Sequence, residues 1–267
     1  MNKSIVAAIQ MVSTPIVAEN LDAAARLVQQ AAERGARFVV LPEYFCILGM
    51  TERDKLAVRE SEGEGPIQTF LAETSRREGV WLVGGCVPLV TSAADKVRSA
   101  CLVYNDQGER VARYDKIHLF GFESGNEVYR EANTIEPGST PLAIDTPFGR
   151  VALTICYDVR FPELYRGLGR VDMILVPSAF TATTGRAHWE VLLRARAIEN
   201  QAYVLAPAQG GHHANGRETH GHTMIIDPWG TILSEQASGE AVLTAELDPA
   251  VLTRVRSSLP ALDHRRL

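Results

Sequence analysis

The sequence lacks the features that mark several common classes of protein. Its 267 residues carry 27 basic and 32 acidic side chains, and the formal net charge of −5 gives no general affinity for nucleic acid. No apolar run is longer than a strand, which excludes a membrane-spanning segment. The residues Met1 to Val6 lead directly into a predicted strand, without the apolar segment of an export signal.

Cysteine is also scarce, with four residues that form no C-x-x-C pair. Unclustered cysteines indicate reduced thiols and therefore a cytoplasmic protein. The motifs G-x-S-x-G and H-E-x-x-H are missing, so a serine hydrolase or a zinc hydrolase has no support. Four histidines share one glycine-rich segment, His212, His213, His220 and His222, but they lack a regular ligand spacing. We therefore predict neither a metal nor another cofactor.

Predicted strands and helices alternate along the whole chain. No linker or low-complexity stretch interrupts them, which indicates a single domain over residues 1–267. An apolar stripe from Leu21 to Ala32 predicts a helix with Asn20 as a possible N-cap. The turn at residues 105–108 predicts a hairpin. The alternation predicts α/β layers, and the hairpins favour mixed rather than purely parallel sheets.

The most informative segment surrounds Cys156. It follows an apolar run, Val151 to Ile155, that predicts a buried strand, and a helical pattern begins at Phe161. A cysteine at such a junction lies on a sharp turn at the rim of a sheet. There the following N–H groups face the group that the sulfur attacks, and the helix N-terminus favours the thiolate. This geometry suits nucleophilic catalysis. The alternative is a small core residue, which is how we interpret Cys86 and Cys101.

Two other predicted strand ends offer a base and an oxyanion stabiliser. Glu43 ends an apolar strand, and Lys116 ends a β-like segment that starts near Val111. A thiol needs a neighbouring base, and a carboxylate in apolar surroundings has its pKa raised toward that task. A lysine ammonium stabilises the oxyanion that forms when an amide carbonyl is attacked. The alternative is that both are solvated loop residues. Cys46 lies near Glu43 in the sequence, and we interpret it as a packing residue.

These three residues resemble the Glu-Lys-Cys triad of the nitrilase, or carbon–nitrogen hydrolase, superfamily. Their surroundings, Leu-Pro-Glu, Tyr-Asp-Lys-Ile-His-Leu and Cys-Tyr-Asp-Val-Arg-Phe-Pro-Glu-Leu, are similar to its three motifs. The resemblance extends from Ile5 to about Arg266. It implies a four-layer α-β-β-α sandwich that forms homodimers or higher oligomers through its helices. It also implies amide hydrolysis through a thioester at Cys156, without a cofactor.

A fourth segment, Tyr129 to Thr134, is similar to the family stretch that carries a second active-site glutamate. This similarity makes Glu131 the candidate for positioning substrate or water. Glu123 and Glu127 are the competitors if the alignment shifts, and an exposed loop glutamate is the alternative.

The motif Cys-Tyr-Asp replaces the Cys-Trp-Glu of true nitrilases, which points to an amidase. Residues 177–199 and 210–230 are similar to the Nit branch of the superfamily. The resemblance implies a 2-oxo acid amide as substrate. Residues 210–213 and 221–230 favour deaminated glutathione, and the 2-oxoglutaramate of ω-amidases is the alternative. N-carbamoyl amide hydrolysis and a non-catalytic binding module are the remaining alternatives. Arg186, where a proline is common, leaves the exact substrate open.

The resemblance further implies that Tyr157, Phe180 and Thr181 contact the substrate. Arg160 follows Cys156 by about one helical turn, so it can face the same pocket. Its planar guanidinium can bind a 2-oxo acid carboxylate through two parallel hydrogen bonds. The alternative is that Arg160 pairs with Glu163 or another acid and anchors the helix.

Overall fold

The structure of the protein, a computed structural model, describes residues 2–125 and 127–266. Within these ranges two six-stranded sheets are the main elements. The first sheet contains, in spatial order, β16 (Ala241–Leu247), β1 (Ser4–Gln10), β2 (Ala36–Val40), β3 (Trp81–Val90), β4 (Val97–Tyr104) and β5 (Arg110–Asp115). The second contains β15 (Ile232–Gln236), β14 (Thr223–Ile226), β11 (Tyr203–Ala206), β10 (Met173–Leu175), β9 (Gly149–Leu153) and β8 (Leu142–Thr146).

Two short hairpins, five α-helices and three 3-10 turns (Asp54–Leu56, Glu131–Asn133 and Cys156–Arg160) complete the described elements. The hairpins are β6 (Gly121–Ser124) with β7 (Glu127–Arg130), and β12 (Gly210–His212) with β13 (Glu218–His220). The helices are α1 (Val17–Glu33), α2 (Pro66–Glu78), α3 (Pro162–Gly167), α4 (Ala182–Asn200) and α5 (Pro249–Ser258). None of these helices is long and apolar enough to cross a bilayer.

Both large sheets are mixed, as the sequence predicts. Strands β1, β2 and β3 run parallel, and so do β9, β10 and β11, while β3, β4 and β5 form antiparallel hairpins. Parallel neighbours need a crossover, which α1 and α2 provide in the first sheet. The parallel strands end at one edge of each sheet, and that edge positions the site described below.

The core is arranged in two apolar layers. Along β2, Phe38 and Val40 face the second sheet, whereas Val39 faces α1 and α2, because successive side chains of a strand point to opposite faces. Trp189 of α4 packs on the far side of the second sheet within the same core. The order helices, sheet, sheet, helices is the predicted four-layer α-β-β-α sandwich.

The start of α1 differs from the prediction. The N-cap is Ile16, and Asn20 lies one turn inside the helix, where its side chain is buried. Asn20 accepts a hydrogen bond from the Thr14 N–H at 2.7 Å and donates one to the Cys46 carbonyl at 3.0 Å. The prediction of Asn20 as the N-cap is therefore wrong, because its amide group serves a tertiary contact.

Candidate active site

The ends of three strands bring Glu43, Lys116 and Cys156 together. Glu43 follows β2, Lys116 follows β5, and Cys156 follows β9 of the opposite sheet. All three are buried, with exposed fractions of 1%, 0% and 6%. The Lys116 ammonium lies 2.7 Å from Oε1 of Glu43, and burial and the charge of the same carboxylate raise the pKa of the Cys156 thiol. The structure thus places a thiol, a carboxylate and an ammonium in one water-poor cluster.

The backbone around Glu43 is held from several sides. Tyr44 adopts a left-handed conformation with φ +57°, which is uncommon for a bulky residue. Gly85 of β3 passes so close that an added Cβ would overlap the Pro42 carbonyl oxygen. The Gln209 amide donates a hydrogen bond to the Glu43 carbonyl at 3.0 Å. These contacts fix the direction in which the carboxylate points.

Cys156 lies on an equally constrained turn. Its φ of +49° is left-handed, which costs about 1–2 kcal/mol for a residue with a Cβ. Its N–H donates to the Pro177 carbonyl at 2.9 Å. The buried Asp158 carboxylate holds the turn, since it accepts the Ile155 N–H at 2.9 Å and the Tyr114 hydroxyl at 2.7 Å. The sulfur is therefore placed before substrate arrives.

Burial and charge set the protonation of the nucleophile and the base. Burial raises the pKa of Glu43, and the opposing charge of Lys116 only partly offsets it. Burial, followed by the charge of Glu43, also raises the pKa of the Cys156 thiol well above its usual value. The expectation that a helix N-terminus favours the thiolate is wrong for the resting protein. The sulfur starts a five-residue 3-10 turn, and α3 begins only at Pro162.

Glu131 is the second carboxylate that binds Lys116. Its Oε1 and Oε2 lie 2.9 Å and 2.8 Å from the ammonium, and it also accepts the Phe120 N–H at 2.7 Å. Burial alone would lower the pKa of Lys116, but the charges of Glu131 and Glu43 outweigh it and raise that pKa. Burial alone would raise the pKa of Glu131, but Lys116 lowers it. Each charge of the Lys116–Glu131 pair therefore favours the charged form of the other.

The competing glutamates lie outside this cluster. Glu123 is exposed and pairs with Arg130, and Glu127 accepts the Thr183 hydroxyl at 2.6 Å. The contacts of Glu131 are directed at Lys116, so its direct contact with substrate or water stays a prediction.

A small cavity opens beside the sulfur. The residues that line it come from the Lys116 loop, the Cys156 turn and the start of α4, namely Phe120, Cys156, Tyr157, Ala179, Phe180, Thr181 and Thr184. The three predicted substrate contacts, Tyr157, Phe180 and Thr181, are all among them. The Thr181 hydroxyl also caps α4 by accepting the Thr184 N–H at 3.2 Å.

Arg160 lies over two rings of this cavity. Its guanidinium carbon is 5.6 Å from the Tyr157 ring centroid and 5.2 Å from that of Phe180. A guanidinium nitrogen is 3.2 Å from Nδ1 of His188. No described carboxylate pairs with it, so the alternative of a Glu163 pair is wrong. Arg160 contacts a histidine and two rings, and it forms no ion pair with a described carboxylate.

The histidine segment forms the β12–β13 hairpin and the loop after it. His213 is buried and hydrogen-bonds the Ser13 carbonyl at 3.0 Å and the Thr219 hydroxyl at 2.8 Å. His222 lies 2.5 Å from Glu235 and stacks on His220, whereas His212 is exposed. No three ligating side chains converge anywhere in the described part of the chain.

Several residues at the site carry no clear signal in the sequence. Tyr44 follows the base directly and donates its hydroxyl to Glu131 at 3.0 Å, which its position next to Glu43 could have suggested. Gln209 and Arg217 reach the site from distant loops, and no local pattern marks them. Arg186 is exposed on α4, where its charge acts on His220.

Comparisons with known proteins agree with this geometry. The carbon-nitrogen hydrolase family matches residues 5–257. The chain is 43% identical over 272 residues to a deaminated glutathione amidase of Synechocystis sp., covering 99% of each protein. It is 40% identical to the deaminated glutathione amidase of Mus musculus, covering 98% of this chain and 83% of the relative. The crystal structure of Saccharomyces cerevisiae Nit3, a member of branch 10 of the nitrilase superfamily, matches with a TM-score of 0.88 and 31% identity, covering 100% of this chain and 97% of that one. The chain belongs to the carbon-nitrogen hydrolase family.

Proposed function

We propose that the protein is a cysteine-dependent amidase that hydrolyses deaminated glutathione to 2-oxoglutarate and cysteinylglycine. One observation carries the proposal: Glu43, Lys116 and Cys156 meet in a buried cluster at the ends of three strands. The substrate is supported by relatives at 38–43% identity that bear the name deaminated glutathione amidase.

The first half of the reaction forms a thioester. Glu43 accepts the proton of the Cys156 thiol as the sulfur attacks the amide carbonyl. The raised pKa of Glu43 suits it to hold this proton. Glu43 then donates it to the departing nitrogen, which leaves as the amine of cysteinylglycine. The acyl group remains on the sulfur.

The second half releases the acid. Water enters the position that the amine has left, and Glu43 removes its proton as the water oxygen attacks the thioester carbonyl. The C–S bond breaks, the proton returns to the sulfur, and 2-oxoglutarate leaves. No residue is consumed, and each proton that Glu43 accepts is returned.

Lys116 and the Tyr157 N–H stabilise the oxyanion in both halves. An ammonium has three N–H bonds, of which Glu43 takes one. The two Glu131 oxygens can share a second, which leaves the third for the substrate oxygen. Donors of this kind contribute a few kcal/mol each, about 2.7–4 in measured cases. Arg160 binds the 2-oxo acid end of the substrate beside the Tyr157 and Phe180 rings.

A second copy of the chain is proposed as a partner, in a homodimer or higher oligomer. Val191 and Ile198 are 69% and 49% exposed on the outer face of α4, about two helical turns apart, and Trp229 nearby is 60% exposed. Such an apolar face is stabilised by self-association. Light scattering after size exclusion tests it, since Val191→Glu should lower the mass. A monomeric wild type would overturn it.

We also propose a cytoplasmic location, because the four cysteines are free thiols within the described residues. Subcellular fractionation of the source cells tests this.

Turnover of purified protein tests the substrate. Deaminated glutathione should be hydrolysed with a higher kcat/KM than 2-oxoglutaramate, and Cys156→Ala should hydrolyse neither. Intact-protein mass spectrometry of Glu43→Gln with substrate should reveal little acyl-enzyme, because both halves need the base. A preference for 2-oxoglutaramate would assign the protein to ω-amidase activity instead.

A further inference from the structure

A second and larger cavity adjoins the catalytic cluster, and the mechanism above does not use it. Its volume is about 340 Å³, against about 10 Å³ for the cavity beside Cys156. Tyr44, Lys55, Tyr129 and Arg217 are among the residues that line it. The cavity beside the sulfur is too small for a dipeptide leaving group, whereas the larger one is in the range of small-molecule sites.

Arg217 is the unusual residue of this cavity. One guanidinium nitrogen donates to the Ala179 carbonyl at 2.8 Å, and the guanidinium carbon lies 5.1 Å from the Tyr129 ring centroid. Its Nε is buried and has no hydrogen-bond partner among the described residues. No described carboxylate forms an ion pair with it either. A buried N–H without a partner is costly, and a guanidinium can offer it to a carboxylate, so the site is suited to an anionic ligand.

The other polar groups of the cavity are already engaged. Lys55 pairs with Glu52 at 2.7 Å and lies over the Tyr44 ring. The Asn215 amide donates to the Gly49 carbonyl at 2.7 Å and accepts the Arg217 backbone N–H at 2.9 Å. Arg217 is therefore the cation in this cavity with capacity for a new anion.

A single residue links Arg217 to the nucleophile. Ala179 lines the small cavity together with Cys156, and its carbonyl accepts a hydrogen bond from the Arg217 guanidinium at 2.8 Å. Tyr44 connects the same cavity to the catalytic charges, because its hydroxyl donates to Glu131. The larger cavity is thus one hydrogen bond away from Glu131 through Tyr44, and one hydrogen bond away from the wall of the small cavity through Arg217.

We propose that Arg217 binds the carboxylate of the leaving amine and that the larger cavity holds this part of the substrate. This inference rests on the proposed function. Deaminated glutathione has one carboxylate on each side of its scissile amide. An arginine that forms no ion pair with a described carboxylate lies at each of the two cavities, Arg160 beside the smaller one and Arg217 in the larger one. The ammonia released from 2-oxoglutaramate carries no carboxylate, so Arg217 selects amides whose amine does.

A pair of substrates tests the inference on the unmodified enzyme. The C-terminal carboxamide of deaminated glutathione keeps the scissile bond and the 2-oxo acid but lacks the amine-side charge. Its kcat/KM should be about 10- to 100-fold lower than that of the acid, the range for losing a charged hydrogen bond. This loss should appear mainly as a higher KM rather than as a lower kcat.

Arg217→Gln, measured with the same two substrates and with 2-oxoglutaramate, tests whether Arg217 is the residue that binds the amine-side carboxylate. This variant should lower kcat/KM for the acid by about 10- to 100-fold more than for the carboxamide or 2-oxoglutaramate, because neither of these presents a carboxylate to position 217. A loss shared by all three substrates, from the broken contact with the Ala179 carbonyl, cancels in this ratio. Arg217→Lys should restore part of the loss on the acid. Arg170→Gln, at an exposed arginine that pairs with Asp263, is the matched control and should change no substrate.

The outcomes separate this inference from the proposed function. If wild type cleaves the acid and the carboxamide equally well, Arg217 is not the subsite, although the amidase activity stands. If wild type cleaves neither but does cleave 2-oxoglutaramate, the proposed substrate is wrong. If Arg217→Gln fails to fold, the substrate pair on wild type still decides.

Discussion

Glu131 holds the Lys116 ammonium through both of its carboxylate oxygens, at 2.9 Å and 2.8 Å, and both side chains are buried. The negative charge of Glu131 also acts on Glu43, whose pKa it raises. A residue that need not touch the substrate therefore influences both the oxyanion donor and the base. The first prediction separates these two effects.

Glu131→Gln should lower kcat by about 100-fold or more, the scale for losing one positioned oxyanion donor. Removing its negative charge should also lower the pKa of Glu43. The base then stays deprotonated to lower pH, so the acidic limb of the kcat/KM profile should move to lower pH. The profile of the exposed Glu123→Gln should match wild type. A larger loss in Glu123→Gln would mean that the wrong glutamate was chosen.

Cys156→Ala should abolish turnover, whereas Cys86→Ala and Cys101→Ala should cost about 1–2 kcal/mol of stability and retain activity. All four thiols are buried. Because the pKa of Cys156 is raised, its alkylation by iodoacetamide should be slow at neutral pH and should accelerate as the pH rises. Peptide mass mapping identifies the labelled cysteine. Loss of activity in step with labelling of Cys46 would contradict the assignment.

Asp158→Asn should destabilise the turn that carries the nucleophile. The carboxylate accepts the Ile155 N–H, the His118 N–H at 3.0 Å and the Tyr114 hydroxyl, and an amide has only one oxygen for them. The unfolding free energy should fall by about 2–4 kcal/mol, and kcat should fall with it. Tyr114→Phe removes one of these bonds and should cost about 1 kcal/mol. Urea unfolding checks both. If the two variants lost the same unfolding free energy, the negative charge of Asp158 would not be what stabilises the turn.

Gly85→Ala should displace the Glu43 turn, because the new Cβ would overlap the Pro42 carbonyl oxygen. Backbone atoms cannot move aside as a side chain does, so we expect a cost of about 1–3 kcal/mol and a larger fractional loss of kcat. Gly121→Ala is the control, since a Cβ there meets no atom within 4 Å. Thermal unfolding and turnover are the measurements. Normal kcat in Gly85→Ala would show that the base tolerates a shift of this turn.

Stability should fall when the pH drops from 7 to 5, partly because of His220. Burial, followed by the charges of His222 and Arg186, lowers the pKa of His220 from 6.5 to about 4. A histidine with a lowered folded-state pKa binds a proton more readily in the unfolded chain. The stability that neutral His220 gives the folded protein is therefore complete above pH 6.5 and decreases below it. His220 is only half-buried, and solvent screening reduces the effect to about 1 kcal/mol. His220→Gln should flatten the urea stability curve in this range, and the exposed His264→Gln should not.

The strand ends that carry the site could be predicted from the sequence because they are local patterns. Apolar runs followed by Glu43, Lys116 or Cys156 mark strands that terminate at a charged or nucleophilic residue. The turn residues at 105–108 correctly predict the β4–β5 hairpin, because the conformational preferences of turn residues depend on the local backbone alone.

The remaining features depend on tertiary contacts. The side-chain amide of Asn20 donates a hydrogen bond to the Cys46 carbonyl, in a loop distant in sequence. This tertiary contact outweighs the preference of asparagine for the N-cap position. The raised pKa of Cys156 comes from burial and from Glu43, which only the folded chain brings near. Arg217 reaches the site through Ala179, 38 positions away, and no sequence pattern specifies that contact.

The division of the cluster between the two sheets has a consequence for refolding. Glu43 and Lys116 belong to the first sheet and Cys156 to the second, so neither sheet alone contains a nucleophile together with its base. An intermediate with both sheets formed but not yet docked would have most of its secondary structure and no hydrolytic activity. During refolding from urea, recovered turnover should therefore lag behind the far-ultraviolet dichroism signal, and the interval between them reports the docking of one sheet on the other.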